Sequence, residues 1–105
     1  MSHLFLDWSP LKSSGRRDVL TSWRPRGSGG DGWLLMVWPS LQPGIGWGWR
    51  TNLYAPIRSG IGRAENQREA QQSAENALMD MLTAHQQVEL LRERNERWAK
   101  LCRSG

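Results

Sequence analysis

Ile45-Gly-Trp-Gly-Trp-Arg-Thr-Asn-Leu-Tyr54 alternates throughout. In an extended chain Ile45, Trp47, Trp49, Thr51 and Leu53 fall on one side, and Gly46, Gly48, Arg50, Asn52 and Tyr54 on the other. This period of two predicts a strand with one face on a core. Two glycines flank Trp47 and leave the second face bare, a pattern that marks a bulge or the close approach of another group. Trp33 or a helix backbone is expected to lie across that gap. Upstream, Trp33-Leu-Leu-Met-Val-Trp38 is a continuous apolar run between Gly32 and Pro39. It reads as a second strand, either central and covered on both faces or with one face left for a partner. Pro39-Ser-Leu-Gln-Pro-Gly44 is the turn between the two. Downstream of Ala55-Pro56, Ile57-Arg-Ser-Gly-Ile-Gly-Arg63 reads as a short edge strand.

The period then changes. Asn66 with Glu69 three residues later forms a capping-box start, and no Gly or Pro occurs from Ala70 to Cys102. Ala74, Ala77, Met81, Ala84, Val88, Leu91, Asn95, Trp98 and Cys102 follow at alternating steps of three and four, the spacing of a heptad seam. A helix over 66–102 would be roughly 55 Å long, whereas the strands reach roughly 20–34 Å. Its second half therefore either breaks near Thr83–Gln87 and folds back, or continues and pairs with another chain. None of Thr83, His85, Gln86 and Gln87 is a strong breaker, which favours continuation or a soft kink. Met81, Val88, Leu91, Asn95 and Trp98 are then candidates for a homodimer seam, with Asn95 as the residue that fixes register.

Residues 9–32 are rich in Gly, Ser and Pro and read as a flexible arm. Within it, Asp18-Val-Leu-Thr-Ser-Trp23 has the composition of a short strand that Pro25 would end or hold at a sheet edge. Gly27-Ser-Gly-Gly-Asp-Gly32 is either a linker or a loose hairpin connection. The expected fold is α+β: a basic arm over 1–30, then one domain over 31–105. That domain is a small three-stranded antiparallel sheet followed by one long C-terminal helix.

The chain has 105 residues, 14 of them Lys or Arg and 10 Asp or Glu, for a net charge of +4. The excess lies entirely before residue 66, because residues 66–105 carry six of each sign. Nearly all the cations are Arg, which forks onto phosphate or carboxylate and stacks on aromatic rings. One Cys excludes an internal disulfide, and His3, His85 and Cys102 have no zinc-ligand spacing. No run of 18 apolar residues exists to span a membrane. The N-terminus lacks a basic region followed by a long apolar run, so no signal peptide and a cytoplasmic location are expected.

The same residues are poor material for catalysis. His85 lies mid-helix, Cys102 lies close to the end, and the helix carboxylates read as a solvated face, so neither an activated nucleophile nor an acid–base pair is expected. No catalytic residue, metal or cofactor is expected. Gly60-Ile-Gly-Arg-Ala-Glu65 joins a strand to a helix start beside Arg58 and Arg63, where backbone N–H groups could hold an anion. It lacks the remaining residues of a nucleotide loop, and a plain turn explains it as well.

Tryptophan is the unusual count, at 7 of 105. A small domain can use Trp as core filler, and alternation admits Trp47, Trp49 and one of Trp33 or Trp38. The remainder, set beside Arg, have the composition of an interface hot spot or a base-stacking platform. Trp33, Trp38, Arg50, Arg58 and Arg63, with Arg24 and Arg26 from the arm, are the candidate partner-binding residues. The partner is expected to be a protein, with nucleic acid as the rival.

The order of a Trp-rich hairpin, Ser59-Gly-Ile-Gly-Arg-Ala64 and an Ala-rich helix (Ala70, Ala74, Ala77) resembles small phage-encoded accessory proteins of the anti-CRISPR type. The resemblance spans residues 31–84 and is one of architecture. It implies a non-enzymatic inhibitor that occupies a host nucleic-acid-handling complex in the host cytoplasm. Inhibitors that mimic nucleic acid are acidic, and this chain is basic. It would have to cap an acidic patch or grip the nucleic acid itself.

Overall fold

The computed structural model describes residues 4, 6–11, 18–24, 32–40, 46–54 and 57–104. Five strands form one antiparallel sheet in the order β1-β2-β3-β4-β5. They are β1 (Ser9–Pro10), β2 (Leu20–Arg24), β3 (Trp33–Pro39), β4 (Trp47–Tyr54) and β5 (Ile57–Ala64). Two helices follow, α1 (Gln67–Met81) and α2 (Ala84–Ser104). The class is α+β as expected, with five strands in place of three and two helices in place of one.

The additional strands come from the stretch read as an arm. Leu20, Ser22 and Arg24 lie opposite Val37, Leu35 and Trp33. The apolar run of β3 thereby becomes the middle strand. Its odd-numbered residues Trp33, Leu35 and Val37 are buried on the helix side, and apolar Leu34, Met36 and Trp38 lie on the other face without being buried. The missing alternation reflects a second face that is apolar rather than covered. Ser9 and Pro10 extend the sheet by pairing with Thr21 and Leu20. Residues 27–31 of the Gly27–Gly32 linker and residues 41–44 of the 39–44 turn lie outside the described residues.

Asn66 caps α1, its side chain accepting from the Glu69 N–H at 2.9 Å, and Glu69 Oε2 accepts from the Glu65 N–H at 3.1 Å. The expected capping box is present, with Glu69 reaching one residue further back than its usual partner. The helix then stops at Leu82, which is extended (φ −80°, ψ 147°). A second capping box causes the stop. Thr83 Oγ1 accepts from the Gln86 N–H at 3.2 Å while Gln86 Oε1 accepts from the Thr83 N–H at 2.9 Å. Gln87 Nε2 donates to the carbonyls of Met79 (2.7 Å) and Leu82 (3.3 Å), so the end of α1 is satisfied as α2 begins. The continuous helix over 66–102 is thus corrected: polar side chains that can cap broke it without Gly or Pro.

The core lies between the sheet and the helices. Trp33, Leu35 and Leu53 from β3 and β4 meet Ala74, Leu78, Leu82 and Leu90, and Leu6 closes one end. Fully burying each of these leucines contributes ~1.5–3 kcal/mol. One carboxylate sits inside. Glu75 is buried, and its Oε2 accepts from the Leu6 N–H at 3.1 Å and the Trp8 Nε1–H at 2.9 Å. It ties the N-terminal segment to α1, a role opposite to the solvated one its spacing suggested.

Candidate functional site

Helices cover only one face of the sheet. The odd-numbered side chains of β3 and β4 point into the core, and the even-numbered ones point away from it. Among the described residues no element lies over that second face. The β4–β5 register puts Gly48 beside Arg63 and Arg50 beside Ile61, while on β3 Trp38 faces Gly48 and Met36 faces Arg50. Trp23 stands next to Leu34 at the far side. Trp23 is 61% exposed, Ile57 90% and Ile61 73%.

The bare patch at Gly48 is filled from this side. A Cβ built on Gly48 would meet Cε2, Cζ2 and Nε1 of Trp38 at 2.6–2.7 Å. Near-equal distances to three bonded ring atoms mean that the indole lies flat across the glycine. Trp38, not Trp33, crosses the gap, because Trp38 shares a cross-strand pair with Gly48 whereas Trp33 points to the opposite face. The helix-side face repeats the device. There Trp49 lies across Gly62, with a built Cβ 2.5 Å from its Cζ2.

Charge divides between the layers. None of the five strands contains Asp or Glu, whereas four Arg lie on them. The described carboxylates sit on the helices, in the segments joining elements or, for Asp7, ahead of β1. The open face therefore presents the guanidinium groups of Arg50 and Arg63 beside a flat indole, with no acidic side chain from the sheet among them.

The other candidates separate from this group. Trp33 is 4% exposed and belongs to the core, which removes it from the accessible set. Its Nε1 has no protein partner, and it borders a cleft of about 140 Å³ together with Arg24, Glu93 and Arg97. Arg24 is on the helix side, paired with Glu93 Oε1 at 2.8 Å, and holds α2 against β2. Arg97 Nε lies 3.2 Å from Asp7 Oδ2, a charge contact without hydrogen-bond alignment. Arg58 also lies on the helix side, where Nη1 donates to the Met81 carbonyl at 3.3 Å near the end of α1. Arg26 lies outside the described residues. Three of the seven candidates (Trp38, Arg50 and Arg63) share the open face. Trp23, Ile57 and Ile61 join them without having been singled out. The alternation of Leu20-Thr-Ser-Trp-Arg24 carried the signal for Trp23.

The helical candidates divide at the break. Met81 ends α1 and packs on the core, so it leaves the proposed seam. Val88, Leu91 and Asn95 remain together on α2, where they line a shallow open groove with Arg92, Glu96 and Ala99. Trp98 is exposed beside them, its ring stacked under the Arg94 guanidinium at 4.6 Å.

Among the described residues, His85 and Cys102 do not converge with other reactive side chains. His85 Nε2 lies 3.1 Å from Glu89 Oε1, one turn along an exposed helix surface. Cys102 is exposed on the same helix, about 25 Å further along its axis. No group of three or more His, Cys, Asp or Glu able to hold a metal occurs among the described residues. The Gly60–Ala64 segment is strand rather than loop, and the Glu65 and Glu69 N–H groups are taken by side chains. No helix among the described residues is long and apolar enough to cross a membrane. Comparison with protein-family models, curated proteins and solved structures gives no match.

Proposed function

We propose that this chain is a non-catalytic binding protein, an inhibitor or adaptor of phage type that occupies a nucleic-acid-handling complex through the open face of its sheet. The observation that carries this reading is the face itself. It holds a flat indole, exposed Trp23, Ile57 and Ile61, and two guanidinium groups, and the strands behind it contain no carboxylate. An uncovered apolar face of this kind marks an interaction surface, and its charge selects an anionic partner.

Elution from immobilised heparin, a polyanion, tests the reading. Arg50→Ala/Arg63→Ala elutes at lower salt than the wild type. Arg68→Ala/Lys100→Ala removes the same number of charges from the helices and has the smaller effect. Equal losses for the two variants overturn the assignment of the face.

A second reading, an adaptor that forms a homodimer through α2, has its own support. Val88, Leu91 and Ala99 form an apolar strip bordered by Arg92 and Glu96. Across a two-fold axis, antiparallel α2 helices set Arg92 of one copy against Glu96 of the other, an isologous and charge-matched contact. This seam lies on a different element from the open face, so both surfaces can act in one molecule.

A further inference from the structure

We propose that the outer face of the Trp38 indole is a stacking site for an unpaired nucleobase and that Arg50 and Arg63 hold the flanking phosphates. The nucleic-acid-handling complex would then be gripped by its single strand. This rests on the reading of the open face as the docking surface and adds the chemistry of the ligand.

The geometry favours a nucleobase at each step. The inner face of the indole is seated on Gly48. A ring held flat on a sheet has lost its rotational freedom before the ligand arrives, which lowers the cost of stacking on it. Arg63 is the cross-strand neighbour of Gly48, and Arg50 lies two residues along β4 on the same face. Their Cα atoms are about 5 Å and about 7 Å from that of Gly48, so two long cationic side chains frame one ring from two directions. Planar base over indole and phosphate over guanidinium is the pairing that single strands offer. An acidic protein surface would engage the two Arg through carboxylates, and would use the ring face only by bringing a separate apolar anchor to it. A duplex would present phosphates but no free base face. Trp23 supplies a second exposed ring, set against Leu34, four residues or about 13 Å along β3 from Trp38. A bound strand would cover more than one nucleotide.

The test is fluorescence anisotropy with a labelled mixed-base strand of about twelve nucleotides, run as DNA and as RNA, with the matching duplex as a third arm. The single strand binds more tightly than the duplex. Its log–log salt slope is near −1.4, about −0.7 for each of two phosphates. Arg50→Gln and Arg63→Gln each flatten that slope by about 0.7. Trp38→Leu weakens binding by about tenfold to a hundredfold, with the slope retained. The two Arg variants are surface changes and keep the test sound if the Trp38 variant folds poorly. Equal affinities for DNA and RNA fit a site that reads base and phosphate, and a strong preference for RNA would overturn it by requiring 2′-hydroxyl contacts. No binding at low salt, or duplex binding indifferent to Trp38, also overturns the proposal. If that failure comes with heparin elution that still depends on Arg50 and Arg63, the docking face stands and only the ligand is wrong. If the heparin dependence is lost as well, both fall.

Discussion

The Trp38 indole occupies the space that a side chain at position 48 would need, and a Cβ on Gly48 would lie 2.6 Å from its Cε2. Two residues on neighbouring strands are therefore matched in size, the largest against the smallest. Gly48→Ala must lift the ring from the sheet or shift the strand. The expected loss is about 1–3 kcal/mol, the usual cost of overpacking, with a change in tryptophan emission. Urea denaturation followed by fluorescence measures both. A Gly48→Ala protein with unchanged midpoint and unchanged emission would show that the indole is not seated there.

Glu75 is the only carboxylate among the buried described residues, and it joins the start of the chain to α1 through the Leu6 N–H and the Trp8 indole N–H. Glu75→Ala leaves both donors without their acceptor, and the buried Leu6 N–H alone costs about 1–3 kcal/mol. Glu75→Gln keeps one acceptor oxygen and destabilises less. Limited proteolysis separates a local from a global effect. Cleavage before β2 rises first in Glu75→Ala, and a variant as resistant as the wild type would remove Glu75 from this role.

The reciprocal bonds of Thr83 and Gln86 make the junction between the helices. Thr83→Ala or Gln86→Ala each costs about 1 kcal/mol. The double variant loses less than the two single losses together, because each removes a bond from the same cap. Thermal melts of the four proteins supply that cycle, and full additivity would argue against a shared cap.

Arg24 and Glu93 meet at 2.8 Å with the Arg24 side chain largely buried, which fixes α2 against β2 alongside buried Leu90. Arg24→Ala loosens α2 alone. Hydrogen exchange accelerates over residues 84–104 and remains slow over α1. Uniform acceleration in both helices would mean that the pair supports the whole fold rather than one helix.

The α2 seam makes its own prediction. Sedimentation equilibrium gives a concentration-dependent mass approaching two chains, and Leu91→Lys restores a single chain without loss of helix. A monomer at every concentration contradicts the adaptor reading and leaves the open face untouched.

Local pattern carried much of this architecture. The strict alternation around Trp47 and Trp49 gave β4, the bounded apolar run gave β3, and Asn66 with Glu69 gave the start of α1. Long-range pairing was harder to read. The composition of Asp18–Trp23 did signal a short strand, and β2 (Leu20–Arg24) lies there. Nothing local says that β3 needs a neighbour on that side, so its place in the sheet could not be read. The helix break was visible as Thr83-x-x-Gln86, but an unbroken heptad count ran over it. Glu75 looked solvated because its partners lie 69 and 67 residues away. Its position beside Ala70, Gln71, Ala74 and Leu78 on the buried stripe is the signal that the three-four count passed over. At the site, composition pointed to Arg and Trp, and only register could sort them. Arg24 and Arg58 went to helix-side contacts, and Trp33 to the core. Trp38, Arg50 and Arg63 went to the open face.

The most direct test of the open face is an NMR titration of the labelled protein with the single-stranded oligonucleotide at low salt. Shifts concentrate at the Trp38 indole N–H and at the amides of Gly48, Arg50, Ile61 and Arg63, while α1 and the buried residues Leu35 and Leu53 stay still. Shifts confined to α2, or none at the sheet while the strand binds, would contradict the open-face assignment.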